Sequence, residues 1–82
     1  MDSLNTSGIL GPTWLKVLFH LVMSPKTPTE IATLEKKHLS TVSRTLRELR
    51  DSGLVEYTKS PSRERYYRAT EQGQIILRQF LR

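Results

Sequence analysis

Residues 27–53 read Thr27-Pro28-Thr29-Glu30-Ile31-Ala32-Thr33-Leu34-Glu35-Lys36-Lys37-His38-Leu39-Ser40-Thr41-Val42-Ser43-Arg44-Thr45-Leu46-Arg47-Glu48-Leu49-Arg50-Asp51-Ser52-Gly53, and this stretch decides the fold. Thr27 as N-cap, Pro28 in the first helical position and Glu30 three residues after the cap form a capping box, so a short helix opens here. Ile31 and Ala32, with Leu34 beside them, give it an apolar side, and it stops at Lys36-Lys37-His38. A second helix follows over about residues 39–52. Leu39, Val42, Leu46 and Leu49 recur at inward spacing, while Ser40, Thr41, Ser43, Arg44 and Arg47 occupy the other side. Gly53 supplies the left-handed residue that ends it.

Downstream the period changes from helical to alternating. Val55, Tyr57 and Lys59 alternate with Glu56 and Thr58 as in a strand. Ser60-Pro61-Ser62 is a turn with Arg63-Glu64-Arg65 on its far side, and Tyr66-Tyr67-Arg68-Ala69 returns as a second strand, giving a hairpin over 55–69. Thr70 caps a last helix from Glu71 to about Leu81, whose Ile75, Ile76, Leu77, Phe80 and Leu81 cover a broad face.

Upstream, Gly11-Pro12-Thr13 starts a helix in which Leu15, Leu18, Phe19 and Val22 form an amphipathic stripe. Trp14, Val17 and Leu21 form a second stripe, so this helix needs two surfaces to cover it. Ser24-Pro25 ends it, because the residue before a proline is pushed out of the helical region. Residues 1–11 are polar and read as a flexible lead anchored by Ile9 and Leu10, leaving 12–82 as one domain.

Composition narrows the function. The chain has 82 residues, a formal net charge of +5 and no cysteine. A core of this size is thin, and these residues leave little room for a second, ligand-sensing domain. The absence of cysteine excludes disulfides and thiolate metal sites. Met1-Asp2-Ser3-Leu4 does not resemble a secretory signal, and the apolar-rich stretch from Trp14 to Met23 is too short to span a bilayer, so a soluble, cytoplasmic protein that avoids membranes is expected. Lys36, Lys37, Arg44, Arg47, Arg50, Lys59, Arg63, Arg65 and Arg68 crowd the middle of the chain, which favours an anionic partner. His20 and His38 are too few and too far apart for a metal site. There is no nucleophile–base pair, no glycine-rich phosphate loop and no flanking carboxylate pair. Neither an enzyme, a metal nor a cofactor is expected.

The order helix, helix, tight turn, helix, hairpin, helix, with Thr29-Glu30-Ile31-Ala32, Ser40-Thr41-Val42-Ser43-Arg44, Leu46, Leu49, Gly53-Leu54-Val55, the basic hairpin and Tyr67-Arg68-Ala69-Thr70-Glu71-Gln72-Gly73, resembles winged helix-turn-helix regulators. The resemblance is to the MarR-like and ArsR-like kind, especially the small regulators common in archaea, and it covers residues 27–73. It implies a mainly α fold with a small β-hairpin: a three-helix core, a two-stranded wing and a C-terminal helix. Two positions depart from the pattern. Lys36 and Lys37 stand where the family has a Gly and an apolar residue, and His38 stands where it has a small N-cap. Either the turn is built differently, or the helix starts later with Ser40 as its cap.

The resemblance implies sequence-specific binding to double-stranded DNA by a transcriptional regulator. A helix fits the major groove, where arginine reads guanine and short hydroxyls allow close approach. The expected DNA-binding residues are Lys37, His38, Ser40, Thr41, Ser43, Arg44 and Arg47 around helix 39–52, with Lys59, Arg63 and Arg65 on the wing touching backbone or minor groove. Arg44–Glu48 and Arg47–Asp51 pairing at i, i+4 is the competing reading of that face, and Arg50 is assigned to the helix dipole. In such relatives terminal helices form a dimer interface, which nominates Trp14, Val17, Leu21, Ile76, Phe80 and Leu81 for a homodimer; mutual cover within one subunit is the alternative. A winged-helix protein-docking module and a non-specific nucleic-acid binder remain alternatives. Operator, sign of regulation and small-molecule effector are not legible.

Overall fold

The computed structural model describes residues 13–81. In chain order the elements are α1 (Thr13–Met23), α2 (Pro28–Glu35), α3 (Leu39–Asp51), β1 (Val55–Lys59), β2 (Arg65–Ala69) and α4 (Glu71–Phe80). The strands pair antiparallel, with Val55 opposite Ala69 and Lys59 opposite Arg65. This is the winged helix-turn-helix fold that the order of elements predicts. The expected lead over residues 1–11, and Pro12 at the start of α1, lie outside the described residues.

Local chemistry sets the boundaries of the helix-turn-helix. The Glu30 amide donates to Thr27 Oγ1 at 3.1 Å and the Thr27 amide donates to Glu30 Oε1 at 2.8 Å, completing the capping box at α2. At its other end Lys36 takes a left-handed conformation, φ 55°. The Lys36 amide donates to the Thr33 carbonyl and the Lys37 amide to the Ala32 carbonyl. This is the hydrogen-bond pattern that a glycine normally makes after a helix, here made by a lysine. α3 then starts at Leu39 with His38 as an extended N-cap whose side chain makes no capping bond. The turn is therefore built differently from the family pattern, and the later start at Ser40 does not occur. Gly53, at φ 80°, closes α3: its amide reaches the Arg50 carbonyl and the Leu54 amide reaches the Leu49 carbonyl, both at 2.9 Å.

The core gathers around α1, which packs against α3, α4 and β2. Val17, Leu18 and Leu21 of α1 meet Val42, Leu46 and Leu49 of α3, Ile31 of α2, Val55 and Tyr67 of the hairpin and Leu77 of α4. Shortening a buried leucine such as Leu46 to alanine in a core like this costs about 2–5 kcal/mol.

Three sequence expectations change here. In α1 the inward residues are Val17, Leu18 and Leu21, while Phe19 is exposed and Leu15 and Val22 are partly buried. The helix is rolled so that one stripe serves α3, α4 and the hairpin together, and neither stripe read from the sequence has that phase. In α3, Leu39 is 49% exposed, and Thr45 takes the inward place beside Leu46, donating its hydroxyl to the Thr41 carbonyl at 3.0 Å. Leu39 sits at the first position of the helix, on the wall of an open groove it shares with the start of α2. Leu34, beside the inward Ile31, is also exposed.

The hairpin is tied to the helices along its β2 edge and at its base. Lys26 and Tyr67 exchange two backbone hydrogen bonds, at 3.0 and 2.8 Å, which adds a single bridge from the segment before α2. Thr70 caps α4 by accepting from the Gly73 amide at 3.2 Å, donates its hydroxyl to the Gly53 carbonyl at 2.7 Å, and donates its amide to the Leu54 carbonyl. One residue thus fastens the start of α4 to the chain just after α3.

Candidate nucleic-acid interface

α3 presents its candidate side chains to solvent because its opposite face is fixed in the core. With Val42, Thr45, Leu46 and Leu49 inward, Ser40, Ser43, Arg44 and Arg47 are exposed on the outside, and Thr41 is half-buried at the margin. Lys37 and His38 are exposed in the turn that leads into it. Among the described residues Arg68–Glu56 is the ion pair made by a lysine or arginine, and His20 contacts Glu35, so the pairings Arg44–Glu48 and Arg47–Asp51 do not form. The arginines of this face are therefore available to a ligand.

The wing stands beside that helix. The turn at its tip is closed by the Ser60 amide donating to the Glu64 carbonyl and the Arg63 amide donating to the Ser60 carbonyl, both at 2.9 Å. Arg63 sits in the left-handed region, φ 72°. Lys59, Arg63 and Arg65 are all exposed. Glu64 stands near Tyr66, and its negative charge is the largest cause that raises the phenol above its ordinary value, since ionising the ring beside a carboxylate is disfavoured. An open groove of about 870 Å³ runs between the start of α2, the start of α3 and the wing, with Leu39, Ser43 and Arg65 on its walls.

One feature of this surface escaped the sequence reading. The Arg50 guanidinium carbon lies 5.1 Å from the centre of the Tyr57 ring, and that of Arg65 lies 5.0 Å from the same ring. Arg50 thus works across to the wing as well as standing near the end of α3. The available signal was its spacing: it follows Arg47 by three residues, nearly one helical turn.

The expected partner surface divides. Val17 and Leu21, 0% and 2% exposed, are core side chains of the subunit itself, so they are removed from that surface: α3, α4 and the hairpin already use the face assigned to a partner. Trp14 packs edge-to-face on Phe80, with ring centroids 5.5 Å apart, and Ile76 leans on the core. Phe80 and Leu81 stay more than half exposed, at 56% and 63%. His20 holds α1 to the end of α2 through a 2.5 Å contact from Nε2 to Glu35 Oε2, a structural role. Among the described residues no group of three or more His, Cys, Asp or Glu side chains stands close enough to hold a metal ion, and no helix is long and apolar enough to cross a membrane.

Known structures share this arrangement. The apo wild-type MarR of E. coli is 27% identical, with a TM-score of 0.77 over 82% of this chain and 52% of MarR. The transcriptional regulator BldR from Sulfolobus solfataricus is 17% identical, with a TM-score of 0.79 over 83% and 50% of the two chains. An S. aureus MepR variant bound to an oligodeoxyribonucleotide is 22% identical, with a TM-score of 0.78 over 84% and 54%. The chain spans about half the length of these structures. No curated protein matches it in sequence. A family model does: residues 12–82 match the HVO_A0261 N-terminal domain, and the chain belongs to that family.

Proposed function

We propose that residues 12–82 are the DNA-binding domain of a transcriptional regulator of the MarR-like, small archaeal type, with α3 in the major groove and the wing on the adjacent backbone or minor groove. The observation that carries this reading is the exposed face of Ser40, Ser43, Arg44 and Arg47, free of ion pairs among the described residues and flanked by the cationic wing. Short hydroxyls at the start of a groove-entering helix permit close approach, and arginines beyond them reach guanine edges or phosphates. Lys37 and His38 precede the helix, where phosphates come close, and Lys59, Arg63 and Arg65 serve the flanking strand. The oligodeoxyribonucleotide complex of the MepR variant, which shares the fold, supports DNA as the partner class. MarR, BldR and MepR being regulators is consistent with a role other than catalysis.

A homodimer is part of the proposal, through Phe80 and Leu81 with Trp14 and Ile76 behind them. The exposed apolar end of α4 supports it, since contiguous apolar surface is characteristic of an interface. A two-fold dimer binds half-sites about 10 base pairs apart, or a multiple of that.

The test is selection from a pool of random duplex DNA at near-physiological salt, with sequencing of what is retained. An enriched motif is expected, palindromic if the dimer holds. Retention without enrichment, falling steeply with salt, would reduce the domain to a non-specific binder. No retention would move the assignment to protein docking.

A further inference from the structure

The inner face of the hairpin changes character along its length. Directly paired residues share a face, so Val55 with Ala69, Tyr57 with Tyr67, and Lys59 with Arg65 form three successive rungs on one side. The first rung is buried in the core, the second is a pair of tilted rings 5.3 Å apart, and the third is two cations facing each other. Like charges directly opposite are unfavourable in a hairpin. The acid on β1, Glu56, lies on the other face, where Arg68 takes it at 2.8 Å.

A third cation joins from α3. The guanidinium carbons of Arg50 and Arg65 lie 5.1 and 5.0 Å from the Tyr57 ring centre, each attracted by the negative face of the π system. Among the described residues none of Arg50, Lys59 and Arg65 is in an ion pair. Two guanidiniums that share one ring, with a lysine paired across the strands from one of them, concentrate positive charge that no carboxylate among the described residues takes up in an ion pair. A bound anion would meet that charge with charge-assisted hydrogen bonds.

The position identifies the anion. Arg50 stands on the last turn of α3 and Arg65 on the wing, so the cluster occupies the seam between the two. With α3 in the major groove and the wing on the flanking backbone, the intervening strand crosses that seam. The geometry points to Arg50, Tyr57 and Arg65 as one backbone-phosphate site, in which the Tyr57 ring is a positioning residue that aims both arginines. The inference rests on the DNA-binding reading and adds Arg50 and Tyr57 to it. A phosphate here sets the register of the helix on the duplex and carries no sequence information.

The experiment is binding of a fluorescent random-sequence duplex at salt concentrations from about 50 to about 200 mM, the range over which phosphate contacts show in the slope of log affinity against log salt. Wild type is compared with Arg50→Gln, Arg65→Gln, Tyr57→Phe and Tyr57→Leu, each checked by thermal melting. The slope is expected to fall by about one for each arginine variant. Tyr57→Phe keeps the ring and is expected to match wild type, whereas Tyr57→Leu weakens binding and lowers the slope. An unchanged slope in Arg50→Gln overturns the site even if Tyr57→Leu fails to fold, because Arg50 is exposed. Equal binding by folded Tyr57→Leu and Tyr57→Phe overturns the positioning role. If wild type itself does not bind duplex DNA, the DNA-binding reading falls and the site with it.

Discussion

Gly73 and Leu54 meet backbone to backbone: a Cβ built on Gly73 would lie 2.2 Å from the Leu54 carbonyl oxygen and 3.1 Å from Leu18 Cδ1. The first turn of α4 therefore presses directly on the link between α3 and the wing, where Thr70 also donates its amide to Leu54 and its hydroxyl to Gly53. The angle between α3 and the wing is held at this junction, which ties the packing of the last helix to the surface proposed to face DNA.

Gly73→Ala reverses the usual rule for helices. In an ordinary helical position the change stabilises by about 1 kcal/mol. Here the neighbour in the way is a carbonyl that cannot rotate aside, and overpacking of this kind costs about 1–3 kcal/mol. Chemical denaturation is expected to show a loss of that size; a gain in stability would mean that α4 is free to move away from Leu54.

Lys36→Gly acts in the opposite direction. Lys36 holds a left-handed conformation that costs an L-residue about 1–2 kcal/mol, without strain for glycine. Part of that gain is offset by the greater freedom of glycine in the unfolded chain, leaving an expected stabilisation of about 0.5–1 kcal/mol. Gly53→Ala, at φ 80° with open space around it, is expected to lose a similar amount. Melting temperatures of the two variants should move apart, and parallel shifts would contradict the turn geometry.

Arg44→Ala distinguishes base reading from phosphate contact. If Arg44 reads a base, affinity for the selected motif falls by about 1–3 kcal/mol and affinity for random duplex falls much less. Titrations on both duplexes decide it, and an equal loss on each would leave Arg44 a backbone contact.

Phe80→Lys probes the exposed end of α4. Phe80 is 56% exposed and contacts Trp14 within the subunit, so the charge is tolerated by the fold at modest loss. If the proposed dimer forms through this end of α4, sedimentation is expected to show wild type as a dimer and Phe80→Lys as a monomer, with the far-ultraviolet spectrum retained. An unchanged dimer would place the interface elsewhere.

Glu64→Gln should lower the alkaline titration of Tyr66. The Glu64 charge is the largest cause that raises this phenol above its ordinary value near 10.0, so its removal brings the ionisation back down. The sign for stability follows. A raised folded-state value means that the unfolded chain ionises first, so stability present below pH 10.0 is lost as pH rises from there through the folded-state value. Ultraviolet titration of the phenolate reads the shift, and a midpoint unmoved in Glu64→Gln would rule out the charge as its cause.

The elements of the winged helix were legible because each is punctuated by residues with a local physical reason. The box of Thr27 and Glu30, the left-handed Gly53 and the cap at Thr70 act within a few residues of themselves, and all three stand as read. Phase was less legible. The apolar residues of α1 fit two stripes, and Leu39 fits the period of α3, yet Phe19 and Leu39 are exposed. Periodicity states that a helix has an apolar side, but not how far it is rolled against three neighbours at once.

By itself, then, the sequence determined the order of elements, the caps of α2 and α4, the basic face of α3 and the basic wing, since these follow from side-chain chemistry and short-range backbone geometry. Only the tertiary structure decided that Val17 and Leu21 belong to the core, that Lys36 makes the turn, and that Arg50 and Arg65 meet on Tyr57. Those outcomes depend on which surfaces of separate elements come together. That choice is made by close packing of the whole domain, with residues from α3, β1 and β2 arriving at one place that no local pattern marks.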